Sequence, residues 1–135
     1  MKINTKIRYG LRMLIAIAQG NKLVNTTELG KLMRVSPKYL RKLAGPLEKA
    51  GLIKSIQGIH GGYELNRRPE DITLRMLMDA FNERLSLTDC ILGKKCELES
   101  TCLARQVWEM LDRTLQSHFL SISLGDILQN KVGKL

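Results

Sequence analysis

The sequence predicts a mainly α-helical fold carrying one small β-hairpin, on three observations. Apolar residues recur at three- and four-residue spacing in several stretches that follow helix-capping residues. Two short strand-like runs, 52–57 and 63–65, are separated by a segment holding Gly58, Gly61 and Gly62, whose freedom permits a tight reversal. The last long helical stretch is too apolar on one side for so small a domain to bury, which adds a long C-terminal dimerisation helix.

In chain order, the first helix covers residues 3–19, with Ile7, Leu11, Leu14, Ile15 and Ala18 on one face and Gly20-Asn21 at its end. Lys2, Lys6, Arg8 and Arg12 lie in its first half, where they reach phosphates or simply face water. Asn25-Thr26-Thr27-Glu28 has the form of a capping box, and Leu29, Leu32 and Met33 supply the inward face of the short helix that follows. Ser36-Pro37 starts a third helix, since the serine caps free N–H groups and the proline loses nothing at the first position. It runs to about residue 50 with Leu40, Leu43 and Leu47 inward, Gly45-Pro46 as an interruption and Gly51 as its stop.

Lys38, Arg41 and Lys42 share one face of that helix, being i, i+3 and i+4. Two short helices joined tightly, the second basic, are the parts of a helix-turn-helix, and the hairpin behind them makes a wing with Gln57 and His60 at its tip. Thr73 caps a helix over 74–81, with Leu74, Leu77, Met78 and Phe81 inward. Leu103, Val107, Met110, Leu111, Leu115 and Phe119 then keep helical spacing over about five turns. Trp108 and His118 read as packing residues, Ser123 caps a short helix ending at Leu128, and residues 130–135 are expected to be loose.

All three cysteines, Cys90, Cys96 and Cys102, fall in one stretch with two identical five-residue gaps. Gly93, Lys94, Lys95, Glu97, Glu99 and Ser100 between them provide too little apolar surface for a core element, so the stretch is a loop. Several thiolates on a polar loop suit a soft metal or an iron–sulfur cluster. Zinc competes, but its structural sites use shorter pairings and a fourth Cys or His; three unconnected core thiols are the plainest alternative.

The chain of 135 residues can bury one modest core, divided here into a winged helix-turn-helix over 1–80, a cluster-binding loop region over 81–102 and a dimerisation helix with tail over 103–135. An odd cysteine count argues against a disulfide framework, and no apolar run approaches membrane-spanning length, which points to the cytoplasm and no membrane partner. The net charge of +9 is segregated: residues 1–68 hold 14 Lys and Arg against three acids, +11, and residues 69–135 hold 8 against 10, −2. A basic half of this size favours double-stranded nucleic acid as partner. No catalytic constellation is visible, so an enzyme is not expected.

The opening Met1 to Gly10, the segment Val35-Ser36-Pro37-Lys38-Tyr39-Leu40, the wing Gly58 to Tyr63 and the cysteine triplet together resemble the Rrf family of bacterial transcription regulators over nearly the whole chain. The resemblance implies a homodimer, joined through Val107, Met110, Leu111, Leu115 and Phe119, that binds a near-palindromic operator. Its DNA contacts would come from Lys6, Arg8, Ser36, Lys38, Tyr39, Arg41, Lys42, Gln57 and His60. It further implies a 2Fe-2S or 4Fe-4S cluster on Cys90, Cys96 and Cys102, supplied by cluster-assembly machinery, and a regulator, most simply a repressor, of iron, redox or nitric oxide response.

Two departures stand out. The histidine that completes the ligand set in one branch is Arg105 here, and the acidic residue that does so in another is Arg8. Arg41, Lys42 and Gln57 also differ from that first branch, so its operator does not transfer. The fourth iron position then falls to Asp89, Glu97 or Glu99, to a partner-chain group or to a small exogenous molecule. The alternatives are a thiol-redox or zinc sensor on the same winged helix and, further off, an iron–sulfur carrier or trafficking enzyme.

Overall fold

The computed structural model describes residues 2–134 and is mainly helical with one two-stranded antiparallel hairpin. Its elements are α1 (Thr5–Gln19), α2 (Thr26–Met33), α3 (Pro37–Lys49), β1 (Ile53–Ile56), β2 (Gly62–Leu65), α4 (Leu74–Ala80), α5 (Arg105–Ser117) and α6 (Leu124–Leu128). Short 3-10 turns lie at Pro69–Asp71, Phe119–Ser121 and Val132–Lys134. The last of these orders part of the tail expected to be loose; Leu135 lies outside the described residues.

The central helix is α1, and its buried stripe differs from the expected one. Ile7, Gly10, Met13, Leu14 and Ile17 are buried, whereas Leu11, Ile15 and Ala18 are only half-buried. The helix is packed by α2, α3, β2, α4 and α6, so its deepest line is set by all five elements and not by one face alone. Gly10 permits one of these contacts, because a side chain there would press on the Phe81 and Leu77 side chains.

Caps set the other helices. Asn4, Asn25, Ser36, Thr73 and Ser123 each accept a backbone N–H in the first turn that follows. In α2 the cap is Asn25 Oδ1 from the Thr27 amide, and Leu32 proves 63% exposed while Leu29 and Met33 are buried. An eight-residue helix offers the core only one narrow line, and Leu32 falls off it. Pro46 does not interrupt α3, which continues through it to Lys49. Closure is a Schellman arrangement, with the Gly51 amide (φ +74°) donating to Glu48 O at 2.9 Å and the Leu52 amide to Leu47 O at 3.0 Å.

The hairpin is in register Ile53 to Leu65, Lys54 to Glu64, Ser55 to Tyr63 and Ile56 to Gly62, with a Lys54–Glu64 ion pair at 3.2 Å. Tyr63 also pairs with Val24, in the connection between α1 and α2, through bonds of 2.8 and 2.9 Å. A Cβ at Gly62 would overlap the Val24 carbonyl, so this approach needs glycine. A second bridge ties the C-terminal segment back: the Leu74 amide donates to Ile122 O at 3.0 Å and the Leu124 amide to Ile72 O at 2.7 Å. Leu120 and Leu124 thereby join the same core as Leu14, Leu29, Leu43 and Leu47. No helix among the described residues is long and apolar enough to cross a membrane.

Gly62→Ala should lower stability by roughly 2 kcal/mol or more, the range for a substitution that forces packed backbone apart. Gly45→Ala, in open space on α3, should raise it by roughly 0.5–1 kcal/mol through helix propensity. Urea unfolding followed by circular dichroism measures both; equal midpoints for the two variants would contradict the assigned packing.

Candidate nucleic-acid interface and cysteine loop

The turn between α2 and α3 is built on Arg34 in the left-handed region (φ +53°), and the Val35 amide closes it on Gly30 O at 3.1 Å. Leu40, Leu43, Ala44 and Leu47 anchor α3 in the core. The opposite face is exposed and carries Lys38, Arg41, Lys42 and, continuing the same line, Lys49. Lys49 and Arg34 were not singled out in the sequence; the first follows from extending the helical spacing, the second depends on a turn geometry that leaves no pattern.

Two of the expected DNA contacts have structural duties. Ser36 Oγ accepts the Tyr39 amide at 3.1 Å as the cap of α3. The Tyr39 ring is half-buried and meets the Tyr9 ring edge-on at 5.7 Å, with the Arg12 guanidinium 5.2 Å above Tyr9, so it braces α3 against α1. Lys6 is exposed on α1. Arg8, also exposed, stands at the rim of an apolar recess of about 300 Å³ shared with Ile7, Leu74, Phe119 and Ile127, among elements of the C-terminal half.

Gln57, Ile59 and His60 are all exposed at the end of the wing. At its base, burial pushes the Tyr63 phenol above its ordinary value; Glu48 adds to this and Arg41 opposes it. The buried faces of α3 and β1 pack together through Leu47, Leu52 and Ile53, which sets the hairpin beside α3.

Residues 81–104 form the cysteine loop. Each cysteine opens a tight turn with the same bond: Cys90 O accepts from the Gly93 amide at 3.3 Å, Cys96 O from Glu99 at 3.1 Å and Cys102 O from Arg105 at 3.4 Å. The six-residue sequence period has become a six-residue structural period. All three thiols are free; Cys90 is half-buried beside Thr88 Oγ1 at 3.0 Å, and Cys96 and Cys102 are exposed. Among the described residues no three Cys, His, Asp or Glu side chains lie together as a ready metal site. The donor set fits a cluster in kind, since three unpaired thiols sit on a stretch with no core to lose, and holding one requires the turns to draw together.

Arg105, where the resemblance implies a histidine ligand, performs another task here. Arg105 binds Glu99 through Nη1 at 2.6 Å and Glu109 through Nε at 2.9 Å, joining the end of the loop to the first turns of α5. Hydrogen bonds to Glu109 and then Glu99 raise its pKa further, so it stays cationic. On α5 no residue is buried: Val107, Trp108, Met110 and Leu111 are exposed, with Leu103 just before it, while Leu115 and Phe119 lean on the chain's own core. The helix is 13 residues long, shorter than the sequence spacing suggested, because Phe119 belongs to the following 3-10 turn. Trp108 is 36% exposed on α5, and His118 is exposed at its end.

Residues 3–130 match the family model described as Rrf2, iron-dependent transcriptional regulator. The chain belongs to that family. It is 32% identical over 133 residues to Protein rrf2 of Nitratidesulfovibrio vulgaris, covering 96% of this chain and 89% of that one. Among solved structures it is similar to T. potens IscR, at TM-score 0.74 and 29% identity over 96% of this chain and 88% of that one. It is also similar to CymR, the global cysteine regulator of B. subtilis, at TM-score 0.78 and 27% identity over 100% and 98%. As an Rrf2 regulator it is a DNA-binding transcription factor with a winged helix, a class that is not an enzyme class.

Arg41→Ala should change the preferred bases in duplexes selected from a random pool, whereas Lys6→Ala should weaken all duplexes alike and reduce the salt slope by about one. Identical selected sites for Arg41→Ala and the parent would remove Arg41 from base readout.

Proposed function

We propose that this Rrf2 regulator is a homodimer, most simply a repressor, whose operator binding is set by an iron–sulfur cluster on Cys90, Cys96 and Cys102. The observation that carries the reading is the triple turn: three free thiols at one repeat, on a loop that runs directly into the exposed apolar helix α5. The family's description as iron-dependent and the similarity to IscR support it. When bound, the cluster supplies an iron centre whose oxidation state, charge and occupancy respond to redox conditions and iron supply. The protein's part is to hold the thiols, shield one of them beside Thr88, and link the loop to α5 through Arg105.

Dimerisation uses the ridge of Val107, Met110 and Leu111 with Leu103, extended at its base by Leu115 and Phe119. A second copy covers this ridge and sets the two α3 helices about a helical turn of DNA or more apart. Of the loop acids offered as fourth ligand, Asp89 pairs with Lys94 at 3.2 Å and Glu99 with Arg105, which leaves Glu97 without an ion pair among the described residues. The DNA contacts are Lys38, Arg41, Lys42, Gln57 and His60, with Lys6 and Arg8 on phosphates.

A second reading is favoured by one observation. Cys96 and Cys102 are exposed, free thiols, open to oxidation or to zinc, and the similar CymR is described as a cysteine regulator. Anaerobic purification, followed by an absorption spectrum with iron and sulfide content, separates the two. A brown protein with a broad visible band and matched iron and sulfide is expected; a protein still colourless after reconstitution moves the switch to thiol or zinc chemistry.

Cys96→Ala should abolish the visible band and with it the dependence of operator affinity on the cluster, while leaving the helical circular dichroism signal intact, because residues 92–104 are all exposed and contribute no core. The parent's band should bleach in air, since the protein offers iron no obvious fourth donor; hours of unchanged absorbance in air would count against an incompletely ligated cluster.

A further inference from the structure

Among the described residues, the most exposed large apolar side chain of the basic half is Ile59, at 92%, in the turn between β1 and β2. Isolated apolar residues on a surface are ordinary. This one differs in how it is held. Gly58 (φ +113°) bends the chain ahead of it, and the Gly61 amide closes the turn on Gly58 O at 3.0 Å. A Cβ at Gly61 would collide with the Ile56 carbonyl, so the turn is wound as tightly as backbone allows. The Lys54–Glu64 ion pair and the Val24–Tyr63 bridge hold the hairpin beneath it. The β-branched side chain adds little freedom of its own.

The hairpin begins two residues after the Gly51 stop of α3, and β1 packs directly against α3. Its four-residue strands rise about 13 Å in all at roughly 3.3 Å per residue, comparable to the distance across one groove of B-DNA. With α3 in the major groove, the tip therefore arrives over the neighbouring minor groove. The tip presents Ile59 between two hydrogen-bonding residues, Gln57 and His60, and no acidic residue lies between Ile53 and Tyr63 to repel phosphates. An apolar wedge flanked by polar side chains is the composition of groups that enter minor grooves, part-unstack one base step and bend the duplex.

We propose that Ile59 is such a wedge: it inserts at a base step in the minor groove beside the α3 site and makes binding depend on how easily that step deforms. Pyrimidine–purine steps, the most flexible, are preferred there. The proposal rests on DNA binding by the winged helix and is independent of what the cysteines hold.

The test compares the parent with Ile59→Ala and Ile59→Leu, anaerobically and in one state of the cysteine loop, on duplexes selected by the parent from a random pool. Affinity is read by fluorescence anisotropy and bend angle by energy transfer between the duplex ends. Ile59→Ala should lose about tenfold in affinity, within the range for one mismatched pair, bend the duplex less and lose the preference at the flanking step. Its salt slope should not change, since no charge is removed, and Ile59→Leu should retain most of the affinity and the bend. An alanine variant within twofold of the parent with the same bend would overturn the proposal. So would an equal loss on every duplex whatever its flanking step. The site is in open solvent, so both variants should fold as the parent does.

Discussion

The DNA-reading unit depends on one short backbone approach, the antiparallel pair between Val24 and Tyr63. Without it the wing would be an isolated two-stranded ribbon, which is marginal in water. With it, the hairpin is joined to the connection between α1 and α2, and through Leu47, Leu52 and Ile53 to α3, all fully buried or nearly so. Each such side chain contributes on the order of 1.5–3 kcal/mol on burial, far more than any ion pair on this surface. Helix and wing therefore move as one body, and a groove-reading face can be kept at fixed geometry. The requirement falls on Gly62, where any side chain would separate the two strands.

The cysteine loop and α5 are built on the opposite principle. Residues 92–104 are exposed throughout and no residue of α5 is buried. What holds the loop and the start of α5 is local: three turns, the Lys94–Asp89 pair and the two pairs of Arg105. Exposed ion pairs contribute about 0–1 kcal/mol each, so this part of the chain opens more readily than the winged helix. A segment of low local stability next to one of high stability is a workable arrangement for a sensor, because a small ligand-binding energy can order the first without disturbing the second.

Legibility in the sequence followed the range of the interactions. Caps act within three residues, and Asn25, Ser36, Thr73 and Ser123 stood out for that reason. Asn4, the cap of α1, leaves no such signal because the preceding Ile3 suits helical periodicity. The cysteine triplet and the basic face of α3 were equally local. Structure and pattern part where tertiary packing decides: Met13 and Ile17 are fully buried because five elements pack on α1, Leu32 is left out because α2 is short, and Pro46 is carried through because the packing of α3 outweighs one lost hydrogen bond. The site shows the same divide. Tyr39, expected to contact DNA, also rests its half-buried ring on Tyr9, and Arg105, where the resemblance implies a histidine, joins Glu99 to Glu109; no spacing rule describes either contact.

These two parts meet at few points, which limits how a signal can travel in the proposed switch. Leu115 and Phe119 pack on the core, Gln116 Nε2 donates to Leu85 O at 3.1 Å, and Arg75 of α4 donates to Gln116 O at 2.8 Å, while Arg105 links the loop to the start of α5. Allosteric coupling between two sites is typically 1–3 kcal/mol, and a series of exposed polar bonds is too weak and too flexible to transmit that by itself. The apolar ridge of α5 is the larger reservoir, since pairing it with a second copy buries four large side chains at once. Ordering the loop would then act by fixing the start of α5 in its seat on the partner, and the spacing of the two winged helices would follow from that seat. On this view the signal reaches DNA through the geometry of the dimer, not through each monomer's core, and the Val24–Tyr63 pair is what lets a rigid reading head follow a moving helix.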